Sequence, residues 1–185
     1  MIMYTDGGSY NNGNRKGDGS WAYLIIDENN QPTDEITVVC EFIQNTTNNR
    51  TEMMAVIEGL KYLNDSKINT VTIVSDSGYL VKGWTNPAYL KRWISNGWRT
   101  STDTPVKNRY LWEELQRLSW HIGFDFIHIR GHMKDKRKEH AYWNDIVDRA
   151  CTWAMENKML GMIIKLSYNI KTKEFTPITV KLKEN

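Results

Sequence analysis

Residues 46–76, TTNNRTEMMAVIEGLKYLNDSKINTVTIVSD, decide the fold. Thr46, Thr47, Asn48 and Asn49 are helix-capping residue types. Behind them Met53, Val56, Ile57, Leu60 and Leu63 recur at helical spacing, which predicts a helix with one face in a core. Thr70–Ser75 then runs short, apolar and β-branched, as a buried strand does. A helix feeding a buried strand signals an α/β arrangement. The sequence before it is of another kind. Met1–Thr5 reads as a strand, followed by a Gly/Asn/Ser-rich turn from Asp6 to Gly19. Ser20–Asp27 alternates, with Trp21, Tyr23 and Ile25 on one face, and Glu35–Ile43 is rich in β-branched residues. Three successive strands predict an antiparallel meander, so the whole sheet is mixed.

Downstream, Ser77–Lys82 and Pro87–Asn96 read as short helices and Pro105–Trp120 as a longer one. Phe124–Ile129 is the last strand of the main sheet, Arg130–His140 a basic loop, and Ala141–Met155 a helix. The order β-β-β-α-β-α-β-α implies an α/β domain, a mixed five-stranded sheet with three antiparallel strands first and helices on both faces. In the tail, Met162–Ile170 and Phe175–Leu182 form two strands around a turn at Asn169–Glu174. The expected organisation is a catalytic domain over 1–157 and a C-terminal hairpin extension over 158–185.

Composition narrows the function. The 185 residues are 40% hydrophobic and 25% charged, ordinary values for a globular chain of one domain. No apolar run nears the roughly 18 residues of a membrane span, and the N-terminus lacks the features of a signal peptide. Cys40 and Cys151 fit neither a disulfide scaffold nor a zinc spacing, so a cytoplasmic home is expected. The net charge of +2 hides an asymmetry: residues 1–60 carry nine acidic and three basic groups, the remainder 13 and 21. A basic later part, in a chain with eight tryptophans and nine tyrosines, suits a polyanionic partner.

Three acids stand where α/β folds build sites: Asp6 at the end of the first strand, Glu52 in the first turn of the first helix, and Asp76 at the end of the fourth strand. Asp148 in the last helix is a fourth. Each alone reads equally as a cap or turn residue. Together, converging carboxylates resist ionising unless a cation joins them, and their hard oxygens suit Mg²⁺ or Mn²⁺. Two such ions can activate a water and stabilise the leaving oxygen in phosphodiester cleavage.

Six ordered motifs over residues 1–155 sharpen this. Thr5-Asp6-Gly7-Gly8-Ser9, Thr46–Ala55 around Glu52, Ser75-Asp76-Ser77-x-Tyr79, Gly97-Trp98 with Pro105–Asn108 and Leu111-Trp112, Arg130-Gly131-His132, and Asn144-x-x-x-Asp148 resemble type-1 ribonucleases H of the bacterial form with a basic protrusion. The resemblance implies a ribonuclease H-like fold and an endonuclease that cuts the RNA strand of RNA–DNA hybrids by a two-metal-ion mechanism, leaving 5′-phosphate and 3′-hydroxyl ends. It implies that Asp6, Glu52, Asp76 and Asp148 hold two Mg²⁺ ions, replaceable by Mn²⁺, and that His132 assists proton transfer or product release. Asp145 competes with Asp148, and His140 stands as a backup for His132. Gly8, Ser9, Asn48 and Asn49 would read the RNA 2′-hydroxyl. Thr47 and Asn108 would grip a DNA phosphate, and Tyr79 would pack on deoxyribose. Tyr89 or Trp84 would take the place of a protrusion tryptophan. Trp98 belongs to the same segment, with Lys91, Arg92, Arg99, Lys107 and Arg109 for phosphates; Trp93 and Trp112 read as core.

The chain departs from the pattern at four places: Gly78 stands where many relatives carry glutamine, the turn after Asp6 is long, the loop after His132 is long and basic, and the tail is unexplained. The rival readings are a non-catalytic binding module, which would lack a carboxylate, and a nuclease for another structured nucleic acid, which residues 46–50 and the protrusion segment disfavour. A third is an excised reverse-transcriptase domain, against which the Met1 start and the tail favour an independent chain. The expected partner is an RNA–DNA hybrid met by a monomer, with no membrane involved.

Overall fold

The computed structural model describes residues 1–10, 17–129 and 138–182. The chain order is β1 (Ile2–Ser9), β2 (Gly17–Ile26), β3 (Glu35–Thr46), α1 (Asn48–Asp65), β4 (Thr70–Ser75), α2 (Gly78–Thr85), α3 (Pro87–Ser95), α4 (Arg109–Ser119), β5 (Gly123–His128), α5 (Lys138–Asn157), β6 (Met162–Asn169) and β7 (Phe175–Leu182). The strands form one sheet in the order β5-β4-β1-β2-β3-β6-β7. β1 lies between the two halves, antiparallel to β2 and parallel to β4.

The period-2 alternation sends the central strands' side chains into two separate cores. Met3, Trp21, Tyr23 and Val39 join Met53, Val56, Ile57 and Leu60 of α1 on one face, where Leu111, Trp112 and Leu115 of α4 complete the cluster. Tyr4, Ala22, Leu24, Val38 and Cys40 meet Trp143, Ile146, Val147 and Ala150 of α5 on the other. Helices therefore cover both faces, as the sequence predicts, and β2 is buried on both sides.

Several boundaries differ from the sequence expectation. β1 and β2 continue through much of the predicted turn: Asp6, Gly7, Gly8 and Ser9 pair with Ala22, Trp21, Ser20 and Gly19. Asp6 thus lies within β1, because antiparallel pairing satisfies the backbone of residues whose local propensity favours a turn. α5 begins at Lys138, so His140 is helical. The tail is a hairpin, but it continues the main sheet rather than standing beside it. β6 pairs with β3 from Glu35↔Asn169 to Glu41↔Ile163, making seven strands instead of five. The outer edge of β3 would otherwise offer unpaired backbone groups.

Gly7 sets how closely α1 can approach the sheet. A Cβ there would stand 2.4 Å from the Glu52 nitrogen and the Thr51 carbonyl carbon. Backbone cannot retract as a flexible side chain does, so Gly7→Ala forces α1 away from β1. We expect a loss of about 1–3 kcal/mol, as for other overpacked cores. Thermal denaturation checks this, and an unchanged midpoint would contradict the close approach.

Candidate active site

The end of the β1/β4 pair builds the site. The parallel β1/β4 pairing runs to Tyr4↔Val74, and Asp76 follows the last residue of β4, near enough to Asp6 for the two charges to interact. Alternation along β1 turns Asp6 to the side of Tyr4, toward α5, and Gly7 to the side of α1. The Asp6 carboxylate accepts from its own neighbour's amide, Gly7 N to Oδ1 at 2.8 Å. The Cys151 thiol donates to the Asp6 carbonyl at 3.6 Å, which docks α5 on this part of β1.

Glu52 is the fifth residue of α1, past the first turn in which the sequence reading put it. It is therefore no cap. Thr47, the N-cap residue, makes no side-chain cap bond either. Both Glu52 oxygens are held: Asn48 Nδ2 donates to Oε1 at 2.8 Å, and the Ser77 hydroxyl donates to Oε2. Asn48 also accepts from Ser9 N at 3.2 Å, tying α1 to β1. Ser77 caps α2 by accepting from Leu80 N, so one serine links the residue after Asp76 to Glu52.

The charges interact. Burial pushes the Asp6 carboxyl from 3.8 up to about 8; Asp76, Asp148 and Glu52 push it the same way, opposed by the Gly7 amide. Burial pushes Glu52 up to about 7, with Asp76 adding to the rise and the Ser77 hydroxyl opposing it. Asp148 acts on Asp6 across the sheet face, whereas Asp145 is not among the charges raising it. Among the described residues no three such groups already stand as a closed metal cage. The fit to cations is chemical: acidic oxygens from β1, α1, α5 and the residue following β4, mutually repelling, with the Asn144 side-chain Oδ1 buried and unpartnered one turn before Asp148.

The remaining predicted residues sort into several groups. His132, with Arg130, Gly131, Lys134, Lys136 and Arg137, lies outside the described residues. His140 is engaged elsewhere, its Nδ1 2.8 Å from the Tyr4 hydroxyl. Gly8 and Asn49 are half-buried, and a Cβ at Gly8 would meet open space. Tyr79 donates to the Lys107 carbonyl and accepts from Trp112 Nε1, both at 3.1 Å, and Asn108 bonds the same hydroxyl. Asn108 itself is left-handed, at φ 57°. Lys91 and Arg92 are exposed on α3, and Tyr89 stacks on Trp93 at 5.8 Å while staying 47% exposed.

Two of the candidate aromatics pack inward. Trp84 stacks on Phe124 at 4.8 Å against the core, and Trp98 is 8% exposed beneath the Arg109 guanidinium. Both rings are engaged in packing, whereas Tyr89 stays largely exposed. Arg99 is held by Asp103 at 2.5 Å and Arg109 by Glu113 at 2.8 Å. Such exposed pairs contribute little stability.

Sequence reading passed over Ser77 and Arg50 as site residues. The Arg50 guanidinium lies 5.7 Å over the Tyr110 ring with a buried, unpartnered Nε. Its place between Asn48 and Glu52 is the signal that could have found it.

A family profile described as RNase H matches residues 1–156. The chain is 39% identical over 132 residues to a ribonuclease H of Acetivibrio thermocellus, covering 71% of this chain and 82% of that one. Its fold resembles the crystal structure of LC9-RNase H1, a type 1 RNase H with the type 2 active-site motif, at TM-score 0.69 and 21% identity, over 85% of this chain and 72% of that one. It also resembles the foamy viral protease-reverse transcriptase in complex with RNA/DNA hybrid, at TM-score 0.66 and 18% identity, over 84% of this chain and 20% of that one.

The raised carboxyls have a stability consequence. Folding raises the pKa of Asp6, so its cost is absent below about pH 4, where both states are protonated, and grows as the pH rises toward about 8. In buffer with chelator, Asp6→Asn should melt above the parent at pH near 8, by about 2–4 °C for each kcal/mol recovered. The advantage should shrink toward about pH 4 and on adding Mg²⁺. A variant less stable than the parent at the alkaline end would refute the repulsion.

Proposed function

The chain belongs to the ribonuclease H family, and we propose that it hydrolyses the RNA strand of RNA–DNA hybrids endonucleolytically, leaving 5′-phosphate and 3′-hydroxyl ends. The observation that supports this reading is that Asp6, Glu52, Asp76 and Asp148, on β1, α1, the end of β4 and α5, lie close enough for the other three to act on the Asp6 carboxyl. Two Mg²⁺ ions, replaceable by Mn²⁺, suit this donor set, and when bound they supply Lewis-acid charge for phosphodiester cleavage.

The chain's own residues orient the reaction. Asn48 and Ser77 fix the Glu52 carboxylate in one orientation, so little reorganisation is needed at the moment of reaction. Asn48, which bonds this carboxylate, together with Asn49 and the backbone at Gly8–Ser9, is assigned to the 2′-hydroxyl, which only the RNA strand carries. Thr47 and Asn108 grip a phosphate of the DNA strand, and Tyr79 packs against its sugar. Lys91, Arg92, Arg99, Lys107 and Arg109 contact further phosphates, a sequence-independent grip that weakens with salt. His132 moves a proton or aids product release, a role suited to a side chain that titrates near neutrality. Residues 1–157 form the catalytic unit, and two buried free cysteines accord with a reducing cytoplasm.

Cleavage of a labelled hybrid in Mg²⁺, beside duplex DNA, duplex RNA and single-stranded RNA, tests the reading. Cutting should be confined to the RNA strand of the hybrid and fall about 100-fold or more in Asp6→Asn. Folded parent protein that cuts no hybrid in Mg²⁺ or Mn²⁺ would overturn it.

Gly78 offers a second test. A Cβ at this position meets nothing within 4 Å, so Gly78→Gln has room to reach the substrate. One added hydrogen bond of about 1 kcal/mol would lower KM for the hybrid roughly fivefold at constant kcat. An unchanged KM would remove residue 78 from the substrate path.

A further inference from the structure

We propose that the β6–β7 hairpin is a brace that fixes the rotation of α5 and thereby positions Asp148, with Arg149 as the positioning residue. The inference rests on Asp148 being one of the carboxylates that hold the metal ions under the proposed function. Arg149 follows Asp148 on α5, and it is gripped by both strands of the hairpin and the turn between them. Its Nη1 donates to the Tyr168 hydroxyl at 2.9 Å, and its Nη2 donates to the Lys173 carbonyl at 2.5 Å. Its guanidinium carbon lies 5.3 Å from the Tyr168 ring centre and 5.6 Å from that of Phe175, and those two rings pack 4.9 Å apart.

The receiving end is itself held. Asn169 Oδ1 accepts from the amides of Lys171 and Thr172, and Lys173 N donates to the Asn169 carbonyl at 2.8 Å. Ile164, Leu166 and Tyr168 are fully buried in the core under α5, and β6 is paired along β3. The hairpin is therefore continuous with the sheet that carries Asp6.

Asp148 directly precedes the two anchors of α5, Arg149 and Cys151. Cys151 bonds the Asp6 carbonyl and receives the Ser20 hydroxyl on its own carbonyl at 2.9 Å, which fixes the distance of the helix from β1 and β2. Arg149 holds the helix from the side of the added strands, where a lever arm resists turning. A carboxylate about 6 Å from a helix axis moves about 1 Å for a rotation of roughly 10°. Displacements of that size matter to a metal ligand.

Arg149→Met keeps the length of the side chain and removes both hydrogen bonds and the charge over the rings. Arg149→Lys keeps the charge, and Tyr168→Phe keeps the ring while removing one acceptor. Calorimetric titration of the substrate-free protein with Mg²⁺ is measured beside kcat and KM on the hybrid, with circular dichroism to verify folding. Arg149→Met should weaken Mg²⁺ binding and lower kcat at fixed Mg²⁺ by about tenfold each, with KM within about twofold of the parent. Arg149→Lys should recover part of both, and Tyr168→Phe should fall between. Parent-like Mg²⁺ affinity and kcat with only a lower melting temperature would reduce the hairpin to a stabilising addition and overturn the proposal. A raised KM with unchanged Mg²⁺ affinity would also overturn it, making the hairpin a substrate contact. A parent that binds Mg²⁺ but cuts no hybrid would sink the proposed function, while the Mg²⁺ titration still decides the role of Arg149.

Discussion

Like charges gathered where the sheet would rather be neutral are the constraint to which the rest of the fold responds. Asp6 is half-buried within β1, and folding raises its carboxyl to about 8 because water is withdrawn and three other acids press on it. Such an arrangement costs stability on its own. It persists because the surrounding elements over-determine it. Gly7 lets the backbone of α1 approach β1, Asn48 and Ser77 hold Glu52, and the parallel β1/β4 pairing fixes Asp76 beside Asp6. A hard cation is the kind of group that such a gathering of carboxylate oxygens suits.

The two faces of the sheet divide the labour. The face carrying α1 and α4 supplies Glu52 and, beyond it, the basic and aromatic surface of α3 and the start of α4. The face carrying α5 supplies Asp148. β1 meets both, since alternate residues point to opposite sides, and so one site can draw on residues from either face. The hairpin enlarges mainly the second core, through Ile164, Leu166, Tyr168 and Phe175, while Ile163 packs on the first; its consequences are therefore expected chiefly at Asp148.

Much of this was legible in the sequence because it rests on local rules. The helical spacing of Met53, Val56, Ile57, Leu60 and Leu63 predicts the face of α1 that the structure buries. The alternation of Trp21, Tyr23 and Ile25 predicts the face of β2 that meets it. The end of β1 was misplaced because Gly7, Gly8 and Ser9 favour turns locally, and only pairing with Gly19–Trp21 makes them a strand. Trp84 and Trp98 read as candidate contacts because a tryptophan beside basic residues looks the same whether it faces a ligand or Phe124.

The sequence by itself determined the class of sheet, the helices on both faces and the residue types of the acidic site, since periodicity and ordered motifs are local properties of the chain. Tertiary structure decided which carboxyls meet and how strongly they oppose one another, because those depend on strand register and on burial that no neighbour in sequence reveals. It also decided that the tail joins the sheet at β3 and reaches Arg149 on α5. Residues 149 and 168 are 19 apart in the chain, and only the antiparallel return of β6 along β3 brings the tyrosine hydroxyl to the guanidinium.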